Sequence, residues 1–232
     1  MRVFAVGDLH LPGGQEKPMH IFGAHWEDHF ARISDDWAAR VSREDLVLIP
    51  GDISWAMTME QATGDLLDIG ALPGSKLILR GNHDYWWSSI GRVRSILPEG
   101  MYALQNDAFA REGWLIAGTR GWQAPGSKEF EPQDEKVYLR EVQRLELSLK
   151  DARRKDESSP ILAMLHFPPF NEQQEDNGFT ELFQRYGVSR VLFGHLHGRS
   201  VYSAFQGVRA GVEYHLVSCD ALEFSLFEVP LG

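Results

Sequence analysis

Five short apolar runs in this chain each stop at a polar residue of a kind that binds metal, and no other feature constrains its fold as strongly. Residues 3–6 end at Gly7-Asp8-Leu9-His10, and residues 46–49 end at Pro50-Gly51-Asp52. Residues 76–79 end at Arg80-Gly81-Asn82-His83-Asp84, residues 161–165 at His166, and residues 191–193 at Gly194-His195-Leu196-His197. Runs of four or five apolar residues cut off by Gly, Pro or Asp are the signature of strands buried on both faces. Amphipathic stretches lie between them. Trp26, Phe30, Ile33 and Trp37 recur at three- and four-residue steps, and residues 61–69 form a second such stretch closing near Gly70. Strand, crossover helix, strand predicts parallel pairing with helices on the faces.

The second half is more mixed. Residues 114–117 read as a strand, and Tyr138, Val142, Leu145 and Leu149 mark one helical face. From residue 201 onward, runs 201–205, 213–217 and 224–229 read as hairpin strands. The polar, mixed-charge stretch 150–159 reads as a helix end entering a loop. No repeat or linker divides the 232 residues, so one domain, 1–232, is expected. The net charge of -10 argues against an extended nucleic-acid surface, which needs clustered Lys and Arg. The single cysteine, Cys219, cannot form a disulfide within the chain and reads as buried and inert. The N-terminal apolar stretch is too short for a signal peptide, and no run of about 18 apolar residues is present. These features predict a soluble cytoplasmic protein with no membrane contact.

In open α/β sheets, ligands bind outside the carboxyl ends of the strands. Parallel strands would bring the five polar ends to one edge. Imidazole nitrogens with carboxylate and amide oxygens suit divalent transition ions. Alternate residues of D-x-H and H-x-H fall on one side of an extended segment. Asp8, His10 and His197 are therefore expected to hold one ion, and Asn82, His166 and His195 a second. Asp52 would bridge the two at about 3.5–4 Å. Such a site traps a phosphate group and lowers the pKa of a bound water toward about 7. His83 is placed to stabilise the phosphoryl oxygen or protonate the leaving alcohol, with Asp84 holding its tautomer.

Other residues read more plainly. His25 and His29 are expected to face solvent on the helix that carries Trp26 and Phe30. Tyr85-Trp86-Trp87, and Trp55 likewise, read as core packing under the site, with a wall for the substrate's leaving group as the competing role. The Gly-, Pro- and aromatic-rich segments 11–24, 121–132 and 167–179 are candidates for the substrate walls.

Taken in order, D-x-H, G-D, G-N-H-D, a lone His and G-H-x-H resemble the calcineurin-like metallophosphoesterases, from Asp8 to His197. The resemblance implies an α/β (α+β) fold of two mixed β-sheets packed as a sandwich and flanked by helices. It implies two divalent ions from the set Mn, Fe, Zn and Ni. The metal ligands it implies are Asp8, His10, Asp52, Asn82, His166, His195 and His197, with His83 as the catalytic histidine. The implied activity is hydrolysis of a phosphate monoester or diester on a small phosphorylated substrate, by in-line attack of a metal-bridging hydroxide. A metal-loaded scaffold without turnover and a nuclease are the alternatives. Trp55 departs from the pattern, standing where many members carry Asp or Asn. Ile53-Ser54-Trp55 also lacks the Arg motif of the protein phosphatase branch, although Arg80 echoes that branch.

Overall fold

The computed structural model describes residues 1–15, 17 and 19–231; Glu16 and Pro18, in the candidate substrate-wall segment 11–24, lie outside them. The chain forms two compact units, Met1–Ala103 with Val217–Gly232, and Leu104–Leu216. Each carries one mixed sheet with helices.

The first unit holds β1 (Val3–Ala5), β2 (Leu46–Ile49), β3 (Ser75–Leu79), β4 (Met101–Leu104) and a late strand at Phe227–Val229. The late strand pairs antiparallel with β1, and β1, β2 and β3 run parallel, with Val3 opposite Leu46 and Leu46 opposite Ser75. All four residues of β2 are buried, as expected of a strand covered on both faces. The crossovers are α1 (His29–Arg40) and α2 (Met59–Ala71); α3 (Ile90–Ile96) follows β3. Thr58 caps α2 by accepting from the Gln61 N–H, which satisfies one of the open donors of the first turn. Trp37 of α1, Leu66 and Ile69 of α2, and Phe4, Val47 and Ile78 of the strands share one apolar core.

The second unit holds β5 (Phe109–Arg111), β6 (Trp114–Thr119), β7 (Ile161–Leu165), β8 (Val188–Phe193), β9 (Gly207–Arg209) and β10 (Val212–Leu216), which makes Phe227–Val229 β11. The sheet order is β5-β6-β7-β8-β10-β9, parallel through its four central strands with an antiparallel strand at each edge. The 22-residue α4 (Asp134–Lys155) packs on β6 and on α5 (Gly178–Tyr186). Acidic residues open α4 and basic residues close it, matching the helix dipole.

Three sequence expectations change. The run 201–205 is not a strand: Gly198–Ser203 forms a 3₁₀ helix. The Ser200 hydroxyl accepts the His197 N–H and donates to the His197 carbonyl, and Ser203 donates to the Ser200 carbonyl. Such local serine bonds compete with strand pairing. The last strand joins β1 rather than a terminal hairpin. Trp26 lies in a separate 3₁₀ turn, Ala24–Trp26, ahead of α1.

Candidate functional site

In the first unit the ligand-type residues sit on loops that continue the strand pairing. Beyond β1 and β2, Asp8 N–H donates to Gly51 O (2.9 Å), His10 N–H to Asp52 O (3.0 Å) and Leu11 N–H to Ile53 O (3.0 Å), and Trp55 N–H donates to Leu11 O (2.9 Å). The ladder locks the D-x-H and G-D loops side by side. Asp8, His10 and Asp52 all take left-handed backbone angles, with φ of 59°, 46° and 50°. Few non-glycine residues adopt this region, Asp and His more readily than most, and such positions cluster at functional sites when their surroundings hold them there. Asp8 and Asp52 are fully buried. A carboxylate oxygen of Asp8 lies within 4.8 Å of a carboxylate oxygen of Asp52, and likewise of a ring nitrogen of His10.

The G-N-H-D loop is joined to the Asp52 loop just as tightly. Asp52 Oδ1 accepts the His83 N–H at 2.8 Å. A Cβ on Gly81 would stand 2.1 Å from Asp52 Oδ1 and 2.2 Å from its backbone nitrogen, so only glycine fits. Asn82 and His83 are half-buried. The Trp55 ring lies 4.9 Å from His10, nearly parallel, and 4.4 Å from His83. The residue that departs from the family pattern thus packs against two site imidazoles, His10 and His83.

Asp84 differs from expectation. Its carboxylate accepts from the N–H groups of Ile53 (2.9 Å), Ser54 (3.2 Å) and Gly81 (2.7 Å) and from the Trp86 indole (3.0 Å). It ties two ligand loops together instead of holding the His83 tautomer. Burial, with the nearby Asp52 carboxylate adding to it, pushes Asp84 up to about 6. Trp86 and Trp87 are core residues, while Tyr85 is exposed.

Sequence reasoning missed three supports. His29 does not face solvent: its Nε2 lies 2.8 Å from Leu9 O, so that nitrogen carries the proton and donates. Burial lowers its pKa. The Asp65 carboxylate of α2 accepts the Gly13 N–H (2.8 Å) and the Ser54 hydroxyl, whose oxygen accepts the Ala56 N–H (3.1 Å). The buried Cys219 thiol donates to Asp8 O at 3.0 Å, and burial raises its pKa, so it stays an inert thiol. His25 is exposed, as expected.

In the second unit His166 follows β7 and is fully buried. Arg120 O accepts the His166 and Phe167 N–H groups, and His166 O accepts the Gly194 N–H at 3.1 Å. His195 has φ 73°, a fourth ligand position in the left-handed region. Its Nδ1 lies 3.2 Å from His166 Nε2. Two nitrogens bound at about 2.0–2.1 Å to one ion in tetrahedral geometry stand about 3.3 Å apart. This pair therefore fits a shared ion. Half-buried His197 leads into the 3₁₀ helix. The donor set of the first unit fits as well, since buried carboxylates call for a cation and imidazole suits a transition metal.

The chain also matches known proteins. The profile of the calcineurin-like phosphoesterase family covers residues 1–199. The Gene 66 protein of Mycobacterium phage D29 is 26% identical over 211 residues, 89% of this chain and 84% of that protein. The phosphopantetheinyl hydrolase of Mycobacterium tuberculosis aligns over 100% of this chain and 96% of its own, at TM-score 0.55 and 13% identity. A protein of unknown function from Aquifex aeolicus aligns over 98% and 95%, at TM-score 0.51 and 13% identity. At these identities the two structures speak for the fold alone.

Proposed function

The chain belongs to the calcineurin-like phosphoesterases, and from that premise we propose that it is a dinuclear metal-dependent hydrolase of a small phosphate monoester or diester. Asp8, His10 and His197 hold one divalent ion, Asn82, His166 and His195 hold the other, and Asp52 serves both. The observation that carries it is the first-unit cluster: two buried carboxylates and an imidazole, each on a left-handed backbone, held by a backbone ladder at adjacent strand ends. Backbone strain kept in this way marks a functional position.

Divalent ions bound there would supply Lewis-acid stabilisation and a water ionised near neutral pH. The protein's own part is positional. Asp84 and the ladder keep mutually repelling carboxylates close together, which a flexible loop would not do. Trp55 supports the His83 ring, which hydrogen-bonds a phosphoryl oxygen or gives a proton to the departing alkoxide oxygen. Among the described residues no helix is long and apolar enough to cross a membrane, so no membrane substrate is invoked.

The test uses protein stripped of metal and reloaded separately with Mn, Zn, Ni and Fe(II), assayed on mono-aryl and bis-aryl phosphates. Metal-dependent hydrolysis of either ester is expected, and the ratio of rates assigns monoester or diester preference. Two bound metals per chain with no turnover on either ester would replace this reading with that of a metal-loaded binding protein.

A further inference from the structure

The second unit contains a cavity of about 300 Å³ that extends away from one ligand-type residue, His195. Two of the three segments expected to form substrate walls, 121–132 and 167–179, line it, along with the 3₁₀ turn after His197. His195 stands in its wall. The volume is at the lower end of the range for small-molecule sites.

Its chemistry is selective. Phe167, Phe170 and Phe205 give it aromatic walls. Phe167 lies against the His195 ring at 4.1 Å, and Phe170 meets Phe205 edge to face at 5.1 Å. Two residues of the lining carry a polar atom buried just behind these walls. Gln123 Oε1 and Ser127 Oγ are buried without a hydrogen-bond partner among the described residues, and both residues line the cavity. The Gln123 amide nitrogen already donates to Glu129, which leaves the carbonyl oxygen as an open acceptor. Buried polar atoms are nearly always satisfied, so two open ones beside a cavity call for a ligand that completes them. Glu129 and Glu172 also line it, and no lysine or arginine does. An anionic group is therefore disfavoured, and the cavity is not itself a phosphate site.

Resting on the phosphoesterase reading, we propose that this cavity receives the organic part of the substrate: a flat, uncharged ring carrying an N–H donor, attached to the phosphate that reaches His195. The ring packs against the phenylalanines, its N–H donates to Gln123 Oε1, and Ser127 Oγ accepts or donates beside it.

Two diesters with the same leaving group isolate this contribution: thymidine 5′-(p-nitrophenyl phosphate) and methyl p-nitrophenyl phosphate. On metal-loaded protein the thymidine ester is expected to have the higher kcat/KM, by about tenfold for a packed, hydrogen-bonded ring. Gln123→Leu should cut that ratio about threefold to tenfold, the worth of one neutral hydrogen bond. Ala204→Trp, which fills the cavity, should bring it near one. Saturation-transfer NMR should detect thymidine alone on the native protein and lose it with Ala204→Trp, which separates ring binding from turnover. A native ratio near one, or a ratio that neither variant changes, would overturn the assignment. Failure with every ion on both diesters and on the monoester p-nitrophenyl phosphate would instead defeat the phosphoesterase reading, and this inference with it. Cleavage of the monoester alone leaves the NMR arm to decide, with no thymidine signal on the native protein overturning the assignment.

Discussion

The two units carry their ligand-type residues in different ways. In the first, three loops are bonded to one another: the ladder from Asp8 to Trp55 joins two of them, and Asp84 gathers N–H groups from the second and third. In the second, the Gly194 N–H bonds the His166 carbonyl and so links the His166 and His195 segments, and His197 opens a turn whose backbone Ser200 holds. The chemistry of the donors explains the difference. Asp8, Asp52 and Asp84 are buried acids in one neighbourhood, and like charges there would push flexible loops apart. An imidazole that binds a metal does so in its neutral form and brings no such repulsion, and His195 Nδ1 stands 3.2 Å from His166 Nε2. Rigid support is concentrated where charge has to be held together.

That contrast can be broken at its stiffest point. Gly81→Ala places a methyl group against the backbone nitrogen of Asp52, which cannot yield without undoing the ladder. Metal content is expected to fall to background and turnover to vanish, with the circular dichroism spectrum kept. Native metal content in this variant, read by elemental analysis, would mean that the first-unit loops are softer than their bonding implies. His83→Ala should act differently, because the proposed function gives the side chain a role toward the substrate rather than as a tie. Metal content should stay native while kcat falls about 10²–10⁴-fold, the range for a lost acid or base. Loss of metal in this variant would instead make His83 part of the ligand scaffold.

The same contrast explains what was legible in the sequence. β1, β2, β3, β7 and β8 announced themselves because strands buried on both faces need unbroken apolar runs, and each ends within three residues of a ligand-type residue. The ligand residues could be read because their chemistry is restricted to few side-chain types. The ties between them could not. Asp65 reaches Gly13 across 52 positions, and His29 reaches Leu9 across 20, so neither has a local sequence signal. Asp84 misled for a related reason: its neighbour His83 was the obvious partner, but its carboxylate bonds to backbone N–H groups, which no sequence displays. The edge strands β4, β5 and β9 are short and partly exposed and carry no clear alternation, and helix α5 is marked chiefly by its caps, Asn177 and Gly187.

Asp65 sharpens the comparison at intermediate strength. It touches no ligand-type residue, yet it holds Gly13 and Ser54, which flank the two ladder-joined loops. Asp65→Ala should weaken metal affinity about 10–100-fold, the usual cost of losing an outer partner of a metal site. Rescue by Asp65→Asn would show that the hydrogen bonds matter and the charge does not. An unchanged affinity in Asp65→Ala would place the rigidity of these loops in the ladder and Asp84 alone.

The smallest effect is expected from the matching change in the second unit. Ser200 holds the backbone on both sides of His197, accepting its N–H at 2.9 Å and donating to its carbonyl at 2.7 Å. Ser200 and the turn around it are exposed, so water can replace both bonds when Ser200→Ala removes the hydroxyl. A neutral, solvent-replaceable hydrogen bond is worth little in net terms, and metal affinity should fall by no more than about threefold. Measured beside Asp65→Ala by the same metal competition titration, the pair forms a direct test of the uneven support. A loss from Ser200→Ala as large as that from Asp65→Ala would show that the imidazole half is held as firmly as the carboxylate half, by serine bonds in place of a ladder. The repulsion between buried acids would then no longer account for where the scaffolding lies.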